Sequence, residues 1–184
     1  MNWNAPRLLE AAGMIVPVPW ERTLAFAAAG LAVLLAWSPV ADRIASRLVA
    51  APPNLSAFRS LQQSLPKLIA GIAIAWALGG FLEELVLRGF ILRGAETLLG
   101  RAVAAPLAST LAIAAAAGIG AALHLYQGRR AALIIGQLSA MFGVLYVVSG
   151  HNLWTAILAH GLYDTIAFIR FAAKKSPYSD LGSA

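Results

Sequence analysis

The sequence predicts an all-α fold, a polytopic helical membrane bundle of five to six transmembrane helices, on three observations. Of its 184 residues, 60% are hydrophobic and 12% charged, and the mean hydropathy is +0.74, far from the balance of a soluble domain. Apolar runs close to the ~20 residues needed to cross a bilayer recur along the whole chain and use most of its length. The basic residues behind the net charge of +6 lie in short connections between those runs, where positive charge sets orientation in a membrane. Nucleic acid is therefore not an expected partner. Cysteine is absent, which excludes disulfides, thiolate catalysis, zinc fingers and iron–sulfur clusters.

Residues 1–22 read as an interfacial segment, with Trp3 and Trp20 as headgroup anchors, a short amphipathic helix over Ala5–Ile15, and a break from Pro17 to Trp20. Arg7 is followed by a run broken by Glu10, Pro17, Pro19 and Glu21, so no cleavable signal is expected there. Residues 23–173 form the transmembrane domain. Its first span is Thr23–Ala41, ending at Ser38-Pro39. Asp42–Lys67 is a polar connection with short surface helices around Pro52-Pro53. The second span begins near Leu68 and is uncharged only to Leu82, so it must continue through Glu83, Glu84 and Arg88 to be long enough. Ala102–Leu123 is the third span, with Ala115, Ala116, Gly118 and Gly120 permitting close packing. Ala131–Gly150 is the fourth and Asn152–Phe171 the fifth. Residues 174–184 are a polar tail.

Five spans place the connections alternately on two sides. One side carries Arg43, Arg47, Arg59, Lys67, Arg129, Arg130, Arg170, Lys174 and Lys175; the other carries Arg7, Arg22, Arg88, Arg93 and Arg101. The excess on the first side predicts an outside N-terminus and a cytoplasmic C-terminus.

Ionisable groups inside such spans cost roughly 3 kcal/mol each unless paired or hydrated, so they should face inward. On a helix Glu84 and Arg88 share a face and can pair as a brace, while Glu83 points about 100° away and is left without a local partner. An unpaired carboxylate among helices is suited to take and return a proton. His160 and Asp164, four apart, can hydrogen-bond and bridge helices. His124 ends its span beside Tyr126 and Gln127, where it could equally be an interfacial structural residue. His151 reads as a surface residue. Three spans thus contribute Glu83, His124, His160 and Asp164, for which one shared polar cavity is the economical arrangement.

These residues resemble the CPBP (ABI) family of intramembrane proteases, which includes the type II CAAX prenyl proteases. The family's Glu-Glu-x-x-x-Arg motif matches Glu83-Glu84-Leu85-Val86-Leu87-Arg88, followed by Gly89-Phe90. Its Phe-x-x-x-His motif matches at His124, with Gly120 in place of Phe. Its later motifs match at His160 and Asp164, preceded by Asn152-Leu153-Trp154. The resemblance implies a CPBP-like core and a bacterial inner-membrane enzyme hydrolysing a peptide bond in a membrane-associated or lipidated substrate. It implies Glu83 and His124 as activators of water and His160 with Asp164 on the oxyanion side. Asp164 stands where the prenyl proteases have Asn. An ionised carboxylate donates no hydrogen bond, so Asp164 must be protonated, orient His160, or bind a metal.

A metal-free mechanism is expected, with Glu83 as general base. A metal-dependent version would use Glu83, His124 and His160 as ligands, a set that suits Zn²⁺. Two readings from other classes compete: a proton-coupled transporter, which also hides carboxylates and His among spans, and a non-catalytic immunity or assembly protein. The oligomeric state is left open. One geometric conflict stands. At ~1.5 Å per residue, Glu83 lies ~24 Å from Lys67, whereas His124 lies ~7 Å from Arg129 on the same side. Either the second helix emerges before its apolar run begins, or it bends at Gly79-Gly80.

Overall fold

A computed structural model describes residue 10, residues 12–14 and residues 18–174. Trp3, most of the expected Ala5–Ile15 helix and nearly all of the polar tail lie outside these residues. Five helices are long and apolar enough to cross a membrane, and no strand occurs among the described residues.

Helix α1 (Trp20–Leu48) starts directly after Pro19 and runs through Pro39. Ser38-Pro39 thus fails to end it. Beyond the proline, Ala41 and Ala45 are fully buried, and Asp42 accepts two hydrogen bonds from Arg130, at 2.7 and 3.0 Å. These contacts offset the backbone hydrogen bond that an internal proline removes. The chain then forms a 3₁₀ turn (Ser56–Gln62). Gln62 donates to the carbonyls of Phe171 and Lys174, satisfying the open end of the last helix.

Helix α2 spans Leu65–Leu99, 35 residues, with Ser64 as its N-cap. At ~1.5 Å per residue it is ~52 Å long, well beyond the ~30 Å hydrocarbon core. Lys67 therefore sits in the first turn of a helix that begins outside the apolar layer, which relieves the conflict between Glu83 and His124. Its middle is widened into π-helix over Trp76–Glu83 and Leu85–Leu92. Helix α3 (Ala105–Leu123) leads through a short 3₁₀ turn (Leu125–Gln127) into α4 (Arg129–Val148), and α5 (Leu153–Ala173) closes the bundle.

Small residues set the helix contacts. A Cβ on Gly136 would lie 3.1 Å from that of Ala121, and one on Gly143 would lie 3.1 Å from Ile113, so α3 and α4 approach closely. One buried cluster joins Leu92, Ala112, Ala116, Tyr146, Leu153 and Ile157; another joins Leu34, Leu138, Phe142, Leu145 and Ala159. Large apolar side chains such as Leu24, Val33, Ile69, Leu78, Leu111 and Val144 point outward, as lipid contact requires. Asn152 caps α5 through Trp154 N and donates to Thr23 on α1 at 2.8 Å. Residues 12–14 pack beside this cap: Leu153 N donates to the Gly13 carbonyl and Trp154 Nε1 to that of Met14, each at 3.0 Å. Gly13 has φ +80°, and a Cβ there would fall 2.0 Å from the His151 carbonyl oxygen. Only glycine fits.

Candidate active site

The site begins where α2 touches α5. A Cβ on Gly80 would meet the backbone of Gly161 at 3.3 Å, and one on Gly79 would meet Asp164 Oδ2 at 2.9 Å and His160 Nε2 at 3.6 Å. The missing side chains let the two helices approach backbone to backbone. Trp76 covers Gly161 and donates from Nε1 to Thr165 at 3.0 Å, fixing the register. The π-helical stretch takes roughly one residue more per turn than an α-helix and turns the charged motif toward this contact. π-helical turns of this kind occur often at functional sites.

Glu84 and Arg88 are fully buried. They pair at 3.1 Å through Arg88 Nη1 and Glu84 Oε1, an ion pair whose angle falls outside hydrogen-bond geometry, and Arg88 Nη1, Arg88 Nε and Glu84 Oε2 have no hydrogen-bond partner among the described residues. Glu84 has a second tie that spacing does not disclose: His160 Nδ1 lies 2.6 Å from Oε1. Arg88 Nη2 donates to both the carbonyl and the hydroxyl of Ser139, at 2.7 and 2.8 Å. The Phe142 ring stacks on His160 at 4.6 Å and lies 5.5 Å from the Arg88 guanidinium. Glu84 is thus held from α2 and α5 at once, and Phe142 sandwiches the pair from α4.

His160 and Asp164 approach to 3.6 Å. This is a charge contact and not the hydrogen bond expected from their spacing, because the Nδ1 edge of the ring is committed to Glu84. Glu83 is half-buried, and its charge acts on both His160 and Asp164. His124 stands at the C-cap of α3, stacked on Tyr126 at 6.0 Å, and lies within electrostatic reach of Asp164. Its Nδ1 lies 2.9 Å from the Gly120 carbonyl, so Nδ1–H donates and the neutral ring presents Nε2 as an acceptor. The absent aromatic at Gly120 has a steric reason. A Cβ there would lie 2.8 Å from Ser139 Oγ and 3.3 Å from Leu87, space already occupied by the Arg88 support.

Glu83, Glu84, His160, Asp164 and His124 therefore occupy one electrostatic neighbourhood, contributed by α2, α3 and α5. Among the described residues, no group of three His, Cys, Asp or Glu is arranged to hold a metal ion, and Glu83, His124 and His160 do not form such a set. Ser139, Phe142 and Gly161 also shape the site but leave no trace in the sequence, since Ser139 is a single hydroxyl and Phe142 an apolar ring in the charge-free body of α4, and Gly161 carries no side chain.

His151 is a correction of a different kind. It is half-buried, adopts φ +61°, and has its Nε2 2.8 Å from Glu96 and its ring 5.1 Å from Tyr146. Glu96 also holds Arg93 at 3.0 Å and the Ser109 hydroxyl. This cluster lies where α2, α3 and the α4–α5 turn meet. Burial, then the Arg93 guanidinium, pushes the His151 imidazole below its usual range, with Glu96 acting in opposition.

A family model described as type II CAAX prenyl endopeptidase Rce1-like matches residues 65–166, just over half of the chain. No curated protein and no solved structure matches it.

Proposed function

Since this chain belongs to the type II CAAX prenyl endopeptidase Rce1-like family, and is a multi-pass membrane protein with five spanning helices, we propose that it hydrolyses a peptide bond in a membrane-associated or lipidated peptide, using a water activated by Glu83 and His124. The observation that carries this reading is that Glu83, His160, Asp164 and His124 share one electrostatic neighbourhood in an otherwise apolar bundle, with His160 and Asp164 3.6 Å apart. Such a concentration of ionisable groups is expensive in a membrane and marks function by default.

Glu83, with no hydrogen bond among the described residues, is the general base. It takes a proton from water as the oxygen attacks the scissile carbonyl, and returns that proton to the departing amine. His124 holds the same water through Nε2, the nitrogen left open by its bond to Gly120. His160 Nε2–H stabilises the oxyanion when the ring carries a proton on both nitrogens, with Nδ1–H held by Glu84. Asp164, 3.6 Å from that nitrogen, orients the ring. Glu84, Arg88, Ser139 and Phe142 position His160 and touch no reacting atom.

We assign a metal-free reaction, with Glu83 as general base. Metal analysis of the purified protein tests it: a stoichiometric metal that is lost in His124→Ala would overturn the assignment. The location we assign is a bacterial inner membrane with the C-terminus in the cytoplasm. Comparative membrane proteomics of wild-type and Glu83→Ala cells tests the activity. One accumulating precursor, longer than its wild-type counterpart, is expected. Identical peptide populations in both strains would contradict a proteolytic role.

A further inference from the structure

On the face of the bundle where α1 and α3 end and α4 begins, a groove of about 420 Å³ opens outward. Its floor is made of small residues, Ala121, Ala122 and Ala132, and its walls of Leu48, Leu125 and Leu133. The walls are not core: Leu48 is 70% and Leu125 56% exposed, at the end of the bundle where α1 passes out of the apolar layer. The concavity exists because alanines stand where three helix ends diverge. Arg129 is the sole charged group lining it. Among the described residues no carboxylate pairs with Arg129, whereas its neighbour Arg130 is engaged by Asp42 at 2.7 Å. Arg129 also opens α4, a 20-residue helix whose N-terminus has no side-chain cap, and whose free amides favour an anion at the same place. Arg43 and Arg47, exposed on the same end of α1, add to the positive field.

We propose that this groove binds an anionic diacyl phospholipid, with an acyl chain along the alanine floor and the phosphate at Arg129. The chemistry matches on both counts. An apolar cleft open to the bilayer takes a hydrocarbon chain, and a basic group between helix ends at the headgroup level selects negative headgroups. The volume lies within the range of pockets that enclose small ligands. A lipid in the groove packs against the last turn of α3, which His124 follows directly as its C-cap. The site nonetheless shares no lining residue with the catalytic cluster, so the inference stands apart from the proteolytic reading.

The test uses the full chain reconstituted in nanodiscs of phosphatidylcholine alone or with phosphatidylglycerol, with retained lipid read by native mass spectrometry. Wild type is expected to keep phosphatidylglycerol in preference to phosphatidylcholine. Arg129→Gln should retain roughly fivefold less of it, the weight of one basic residue at a membrane surface, and Ala122→Trp, which fills the floor, should retain none. Arg129 is exposed, so its variant keeps the wild-type thermal midpoint and decides the question even if Ala122→Trp does not fold. Equal retention of the two lipids by wild type, or undiminished phosphatidylglycerol in Arg129→Gln, would overturn the proposal. So would release of the lipid by a lipidated substrate peptide, which would make the groove a substrate site.

Discussion

At the scale of residues, the site is a set of charges whose burial is offset locally. Glu84 and Arg88 are neutralised by each other, and Glu84 Oε1 and Arg88 Nη2 are further tied to His160 and Ser139. Removing one partner leaves the other charge buried and uncompensated, which typically costs ~3–5 kcal/mol. Glu84→Ala is therefore expected to lower the thermal midpoint sharply, and the double variant Glu84→Ala, Arg88→Met to recover part of the loss; a double variant no more stable than the single one would contradict the pairing. The i,i+4 spacing makes the Glu84–Arg88 face legible in the sequence, but His160 comes from 76 positions away and no local rule reveals it. His151 behaves differently. Its folded-state pKa lies below the unfolded value of about 6.5 because burial and Arg93 disfavour the charged ring. Its Nε2–H therefore donates to Glu96 from a neutral imidazole, and Arg93 at 3.3 Å is a repulsive neighbour. The unfolded chain binds the proton first on acidification, so stability is full above about pH 6.5 and declines as pH falls below it. Thermal midpoints measured from pH 7.5 to 5 should fall less in His151→Gln than in wild type.

At the scale of elements, hydropathy discloses where helices run because spanning a bilayer demands length and apolarity, and Ala131–Gly150 and Asn152–Phe171 anticipate α4 and α5 within two residues. It fails at the polar ends. Asp42 to Leu48 continue α1, and residues 65–67 begin α2, because helices may leave the apolar layer before they stop. The widened turns of α2 are not legible at all, since no residue type marks a π-helix. Gly79-Gly80 signal a special contact but not its partner, which is Gly161. Gly79 offers a clean probe. A methyl group there crowds the tip of Asp164 at 2.9 Å while meeting the His160 ring at an ordinary 3.6 Å, and alanine favours helix by up to ~1 kcal/mol. Gly79→Ala should thus hold or raise the thermal midpoint while displacing Asp164, lowering kcat by up to roughly 10²-fold. Unchanged kcat would mean that the position of Asp164 does not matter.

At the scale of the whole molecule, the fold sorts the charged residues of the connections to two ends. Arg43, Arg47, Arg129 and Arg130 gather at the end where α1 and α3 finish and α4 begins, while Arg93, Glu96 and His151 lie at the opposite end of α4. Arg88, counted among the connections by sequence position, is buried and leaves the side of Arg93 and Arg101 poorer still in positive charge. With no native cysteine, orientation can be read directly: Lys174→Cys should react with an impermeant thiol reagent only after permeabilisation, and Arg101→Cys in intact cells. The reverse pattern would invert the assigned topology. The family is legible from short motifs because chemistry constrains residue types at a site, whereas the gathering of those motifs depends on glycine contacts between helices that lie far apart in sequence. The claim that joins all three scales is that Glu83, left unbonded beside a braced Glu84, activates water. Its most direct test is hydrolysis of a lipidated peptide by reconstituted wild type and Glu83→Gln, with thermal midpoints measured in parallel. A fall of roughly 10²–10⁴-fold in kcat at an unchanged midpoint is expected; cleavage at the wild-type rate would contradict it.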